Sequence, residues 1–149
     1  SPDTGQRLWV AVPHLEDEYW YDALPAVAGP RFIVALADTT QKTPDALAAL
    51  DAATGTQVWR AEYALFGEPY KVLGNDRFVI CHPPGVYDQI VLLDPNTGKA
   101  LRELAFKGLR YFCGAPALDG TRLIALHVRD DGGLYLGIID LAKEPRKGN

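Results

Sequence analysis

The chain has 149 residues, 48% of them hydrophobic and 10% aromatic, enough apolar material for a core of ordinary domain size. Its net charge of −4 is small, and its lysines and arginines are interspersed with acids, so the basic footprint of a nucleic-acid binder is missing and no nucleic-acid partner is expected. No apolar stretch approaches the roughly 18 residues that cross a bilayer, and no charged segment followed by an apolar run opens the chain, as expected of a cytosolic or an already processed protein.

In chain order, Thr4-Gly5-Gln6-Arg7-Leu8-Trp9 leads a short strand expected over 6–12. The loop that follows, Pro13 to Asp22, carries four acids and three consecutive aromatics. A segment then returns three times at a period of about 45 residues: a glycine at Gly29, Gly74 and Gly120, an arginine at Arg31, Arg77 and Arg122, then an apolar run closed by aspartate. A fixed period of this size means stacked or radially arranged supersecondary units. Pro25–Gly29, Tyr70–Gly74 and Pro116–Gly120 read as first strands of small and β-branched residues stopped by a glycine turn. Arg31–Leu36, Arg77–Cys81 and Arg122–Leu126 are continuous apolar runs too short for a helix, the pattern of buried second strands. Third strands run through Ala46–Leu50, Gln89–Leu93 and Leu134–Ile139 to Asp51, Asp94 and Asp140. Two of them enter tight turns whose glycines, Gly55 and Gly98, supply a positive φ, and fourth strands follow at Gln57–Arg60 and Ala100–Leu104.

The expected architecture is therefore all-β: three four-stranded antiparallel blades of about 45 residues, with repeats over 22–63, 68–106 and 111–142 inside a repeat region 1–142, and an exposed tail over 143–149. The chain starts on a fourth strand and stops after a third. A spare strand at one end and a missing one at the other suit a ring in which the first strand completes the last sheet. Three blades are too few to close such a ring, since propellers have about four to eight. Further blades of a longer propeller, for which the charged tail speaks, two copies making one six-bladed ring, or an open array whose spare first strand pairs with the next copy's last sheet are the ways to complete it.

Ala49-Leu-Asp51-Ala-Ala-Thr54-Gly55-Thr-Gln-Val-Trp59 resembles the Ala-x-Asp-x-x-Thr-Gly-x-x-x-Trp motif of the β-propeller repeats named after pyrroloquinoline quinone (PQQ). The second copy keeps Asp94, Thr97 and Gly98 but has Arg102 for the tryptophan, and the third keeps Asp140 alone. The resemblance implies a PQQ-like propeller or part of one. In it Trp9 and Trp59 dock on the peptide of a neighbouring blade, while the Asp and Thr side chains bond the turn's own backbone. Quinoprotein dehydrogenases of this family cap their cofactor with adjacent cysteines beside a calcium ion. This chain has no adjacent cysteines, so no cofactor is expected. The resemblance also leans towards a place outside the cytoplasm, periplasmic or extracellular.

Residues for chemistry are sparse. Ser1 is the only serine and no nucleophile elbow occurs, which excludes a serine hydrolase. Cys81 and His82 are neighbours on a strand and point to opposite faces, so they form no catalytic couple. His82 and His127 each lie five residues after a repeat arginine. Equivalent positions in successive blades do not converge off the channel, so no metal site is expected. Cys81 and Cys113 read either as small core residues or as a disulfide.

Binding residues concentrate in the loops joining strand four to strand one and strand two to strand three. The candidates are Glu16, Asp17, Tyr19, Trp20 and Tyr21 in the first such loop, Glu68 and Tyr70 in the second, and Arg110 and Tyr111 in the third, expected over Phe106–Phe112. These rings either fill gaps between blades or form a recognition face. The expected function is a non-catalytic scaffold for a protein, peptide or glycan; the rival reading is a fragment of a PQQ-dependent oxidoreductase.

Overall fold

A computed structural model of the chain describes residues 18–20, 25–38, 46–63, 72–82 and 88–143. The described residues form three antiparallel sheets and no helix. The first contains β1 (Glu18–Trp20), β2 (Ala26–Ala28), β3 (Arg31–Asp38), β4 (Ala46–Asp51) and β5 (Gln57–Ala61). The second contains β6 (Leu73–Gly74), β7 (Val79–Cys81), β8 (Gln89–Leu93) and β9 (Ala100–Ala105). The third contains β10 (Leu109–Asp119), β11 (Arg122–Arg129) and β12 (Leu134–Asp140). The second and third sheets are meanders in chain order, and the first runs β1-β3-β4-β5 with β2 also paired to β3.

Each of the three sheets is one blade. In the first, β1 and β2 both pair with β3, Trp20 opposite Leu36 and Ala26 opposite Ile33, so they are two pieces of one split first strand. The third blade keeps that strand whole. β10 starts at Leu109, seven residues before the Pro116 that its sequence suggests, and crosses two register shifts on its way to Asp119. The missing signal is physical: residues 109–113 alternate apolar and polar too irregularly to read as a strand, and only pairing with β11 defines them as one. Among the described residues the third blade has no fourth strand, leaving β12 at the sheet edge.

Side chains leave a strand alternately to its two faces, and the blades use both. Ile33, Ala35, Leu47, Ala49 and Trp59 of the first blade meet Val79, Cys81, Val91 and Leu93 of the second in one buried cluster. The alternate residues Phe78, Ile80, Ile90 and Leu92 meet Leu123, Ala125 and Leu141 of the third. The continuous apolar runs of β7 and β8 follow from this, because a middle blade has no wet face. At the far side of the first blade Leu36, Ala46 and Ala48 are also fully buried.

The aspartates align the blades better than the arginines do. Arg31 stands opposite Asp51 and Arg122 opposite Asp140. In the second blade Val79 pairs with Leu93, which puts Phe78, and not Arg77, across from Asp94. The cause lies in the turn. Gly29 and Gly120 take φ of 58° and 56° between strands one and two, whereas Gly74 lies within β6 and Asn75 makes the turn, its Oδ1 accepting the N–H groups of Arg77 at 2.9 Å and Phe78 at 3.3 Å. The equivalence of His82 with His127 is corrected by the same slip: counted from the aspartates, His82 matches Leu126.

Candidate functional site

The turns after the third strands hold the blades in place. Asp51 Oδ1 accepts from the backbone of Ala53 at 3.0 Å and of Thr54 at 3.1 Å, and from the Thr54 hydroxyl at 3.2 Å. Its Oδ2 takes the Arg31 guanidinium at 2.7 Å. The N–H groups of Thr54 and Ala53, in that order, hold the Asp51 carboxyl below its ordinary value. Asp94 caps its own turn through Asn96 N at 2.7 Å, and Asp140 through Ala142 N at 3.1 Å. Trp59 Nε1 donates to Pro95 O of the next blade at 2.8 Å, and the indole lies on Gly98, where an added Cβ would sit 2.8 Å from Cδ2. Arg102 occupies the tryptophan position of the second blade and donates to Leu141 O at 3.1 Å and to Lys143 O. Leu141 follows Asp140 as Pro95 follows Asp94. The arginine thus makes the tryptophan's inter-blade bond by other means.

The opposite end of the third blade carries the exposed polar and aromatic groups. Asp130 N donates to Gly108 O at 3.0 Å, joining the loop that enters β10 to the β11–β12 turn. In that turn Asp131 accepts from Gly133 N and from the Tyr135 hydroxyl, both at 2.8 Å. The Gly133 N–H first and the Tyr135 hydroxyl second lower the pKa of Asp131, and the same carboxylate raises that of Tyr135. Tyr135 stacks on His127 with centroids 5.8 Å apart, and the Arg129 guanidinium lies 5.6 Å from its ring centre. Phe112 meets His127 edge-on at 6.5 Å and Phe106 meets Phe112 at 5.9 Å. This ladder starts in the seam between the second and third blades, where Phe106 and Phe112 pack, and ends at exposed Tyr135. Gly137 makes it possible, since a Cβ there would lie 2.9 Å from His127 Cε1.

The sequence-derived candidates fall as follows. Arg110 and Tyr111 belong to β10, not to a loop; both are exposed, Tyr111 by 45%. Tyr111 pairs with Val128 and so leaves the sheet on the face opposite the ladder. Tyr19 and Trp20 lie on strand β1, opposite Ala37 and Leu36. With blades aligned on their aspartates, these are the register positions of Tyr111 and Phe112. Blades one and three flank blade two, so the two pairs are not brought together. Glu16, Asp17, Tyr21, Glu68, Tyr70, Trp9 and His14 lie outside the described residues. His127, Arg129, Asp131 and Tyr135 were missed as a group; a hairpin centred on Asp131-Gly132 sets His127 across from Tyr135, and that register was the available signal.

Cys81 and Cys113 are both free and far apart in sequence, and burial pushes the Cys81 thiol up. Among the described residues no group of three or more His, Cys, Asp or Glu could hold a metal ion. Among them, too, no helix is long and apolar enough to cross a membrane.

Comparison with known proteins agrees with the blade geometry. The family model described as outer membrane protein assembly factor BamB, a PQQ-like repeat family, matches residues 1–64 and 44–141. No curated protein matches significantly in sequence. Among solved structures, BamB from Moraxella catarrhalis is similar with a TM-score of 0.52 and 20% identity, over 79% of this chain and 33% of that one. Quinohemoprotein alcohol dehydrogenase from Comamonas testosteroni is similar with a TM-score of 0.54 and 18% identity, over 85% of this chain and 22% of that one. The chain thus spans a third or less of the length of either, and the likeness shows the fold. With its three inter-docked blades and a family model matched along nearly its whole length, the chain belongs to the BamB-type family of PQQ-like β-propeller repeats.

Proposed function

We propose that the chain is a non-catalytic propeller scaffold whose β10 end and β11–β12 turn bind a protein or peptide partner outside the cytoplasm. The observation that carries the reading is the concentration of exposed Arg110, Tyr111, Arg129, Asp130, Asp131 and Tyr135 at one end of a blade whose other end is committed to turn capping and docking. Large rigid rings beside charges are what interface hot spots are made of. The family model carries the name of an outer membrane protein assembly factor, which supports a protein partner. Tyr19, Trp20, Tyr21, Glu16, Asp17, Glu68 and Tyr70 extend this face to the other blades in the proposal, and a glycan remains a second ligand class for the same rings.

The test uses a peptide selected against the chain by display and titrated by calorimetry. Tyr111→Ala combined with Arg110→Ala is expected to weaken binding at least tenfold, while the melting temperature stays within about 2 °C, as for exposed substitutions. Unchanged affinity would remove β10 from the face. The rival, a piece of a PQQ-dependent oxidoreductase, would instead show stoichiometric uptake of PQQ with calcium and dye-linked alcohol oxidation.

A further inference from the structure

At the exposed end of blade three one cation is firmly seated yet has no ionic partner. Arg129 closes β11 on the face it shares with Leu123, Ala125 and His127, the face turned towards blade two, so its setting does not depend on what stands beyond β12. Its guanidinium lies over the Tyr135 ring, 5.6 Å from the centre, and its Nη2 lies 3.6 Å from where a Cβ would stand on Gly108. Tyr135 is itself held from three sides. Its ring stacks on His127 at 5.8 Å, its hydroxyl donates to Asp131 at 2.8 Å, and Gly133 leaves it space that a Cβ, 2.7 Å from Cε2, would take. A guanidinium drawn to an aromatic ring keeps its N–H donors for another partner.

No residue of the chain uses those donors. The neighbouring Asp131 carboxylate is already taken by the Gly133 N–H and the Tyr135 hydroxyl, and among the described residues the Arg129 side chain makes no ion pair and no hydrogen bond. Arg31, Arg60 and Arg102 are by contrast committed, to Asp51, to Glu62 and to the carbonyls of Leu141 and Lys143. Arg77 and Arg122 are exposed too, but among the described residues no ring supports either. Two more cations flank Arg129. Lys107 adjoins Gly108, and Arg110 is the extra residue of the bulge in which Leu109 faces Arg129 and Tyr111 faces Val128, a feature that re-aims a side chain. Opposing them are Asp131 and Asp130, whose Oδ2 lies 3.7 Å from the same Gly108 position. A doubly charged phosphate would be repelled by both acids. A carboxylate carries half that charge and matches the fork of a guanidinium with two parallel bonds, while Asp130 is left to accept an N–H of the same partner.

We infer that Arg129 on its Tyr135 support is the receptor for a carboxylate of the partner, with Arg110 and Lys107 adding to the attraction, so that the segment bound at this end is acidic. The inference rests on the reading of this end as a binding face. Selection of random heptapeptides on the full chain and on its Arg129→Gln variant tests it. The wild type is expected to enrich peptides with Asp, Glu or a required free C-terminus, and the variant is not. The best binder is then titrated by calorimetry, with a free and with an amidated C-terminus to separate a chain-end carboxylate from a side-chain one. Arg129→Gln, or replacing the acid by its amide, is expected to lower affinity about tenfold, with no further loss when the two are combined. The melting temperature of Arg129→Gln is expected to stay within about 2 °C of the wild type. Losses that add overturn the inference, as does a binder without an acid that holds Arg129→Gln equally well. If that binder still loses affinity to Tyr111→Ala with Arg110→Ala, the carboxylate receptor falls and the binding face stands; if no peptide is retained at all, both fall. Displacement of the peptide by millimolar inorganic phosphate at constant ionic strength would make this a phosphate site and overturn the inference as well.

Discussion

At the level of single residues the blade stack depends on a few contacts that cross from one sheet to the next. Trp59 is buried against the second blade and its Nε1 bonds Pro95 O, so Trp59→Ala is expected to cost about 3–5 kcal/mol in chemical denaturation. Trp59→Phe keeps most of the packing and leaves the Pro95 carbonyl without its donor, for a loss of about 1–3 kcal/mol. Gly98 has φ of 68° and no room beside the indole, and Gly98→Ala should therefore destabilise by about 1–3 kcal/mol even though it adds one methyl group. Asp51 supplies the pH dependence. Its folded pKa lies below the ordinary 3.8 because Thr54 N–H, then Ala53 N–H, bond its carboxylate. A depressed folded value means that the stabilisation is complete above the unfolded value and disappears as the pH falls through the folded one. Urea midpoints should accordingly drop below pH 3.8, and Asp51→Asn should flatten part of that drop; an equally steep fall in the variant would remove Asp51 from the account.

At the level of elements, the second blade shows how one turn changes a register without changing a fold. Asn75 replaces the positive-φ glycine of its neighbours and shifts β7 by one position, and its Nδ2 donates to Gly120 O of the third blade at 2.8 Å. The apolar run in β7 tolerates the slip because both of its faces are buried, so either parity offers the core an aliphatic side chain. Arg102 is the second departure from the repeat. A planar guanidinium presents several donors at fixed angles, which lets it reach the carbonyls of both Leu141 and Lys143. Arg102→Ala is expected to lower stability by about 1–2 kcal/mol, and Arg102→Lys should recover little of it, as a melting-temperature series with the wild type will show. Full recovery by lysine would mean that charge alone, and not the forked geometry, seats the third blade.

Across the whole molecule the burial is uneven in a way that has dynamic consequences. The middle blade is covered on both sides, whereas the third is covered on one and ends in an exposed strand. Local opening follows apolar burial and backbone pairing. Amide exchange should therefore be slowest in β8, around Ile90–Leu93, and much faster in β12; uniform protection across the blades would contradict an additive stack of repeats. The exposed ladder from Phe112 through His127 to Tyr135 sits at the boundary between these regimes, rooted in the seam and open at its tip. A rigid base under accessible rings is what a binding end requires.

The blade period and the second, third and fourth strands of the first two blades were legible in the chain, because apolar runs punctuated by Gly and Asp report local backbone geometry directly, whereas β1 and the start of β10 read as loops. The Asp-x-x-Thr-Gly turn, the Arg31 to Asp51 span and the position of Trp59 belong to that local information. What the residues did not give was anything that depends on which strand lies beside which. The one-residue slip at Phe78 was hidden because Arg77-Phe78-Val79 looks like Arg31-Phe32-Ile33, and only pairing with β8 distinguishes the two. Leu109–Cys113 became a strand through β11, and Arg102 became a substitute for tryptophan through the carbonyls of a blade 39 residues away. Cross-strand register and inter-blade contact are set by long-range packing, where many side chains must fit at once, and that is the part of the fold that tertiary structure alone decided.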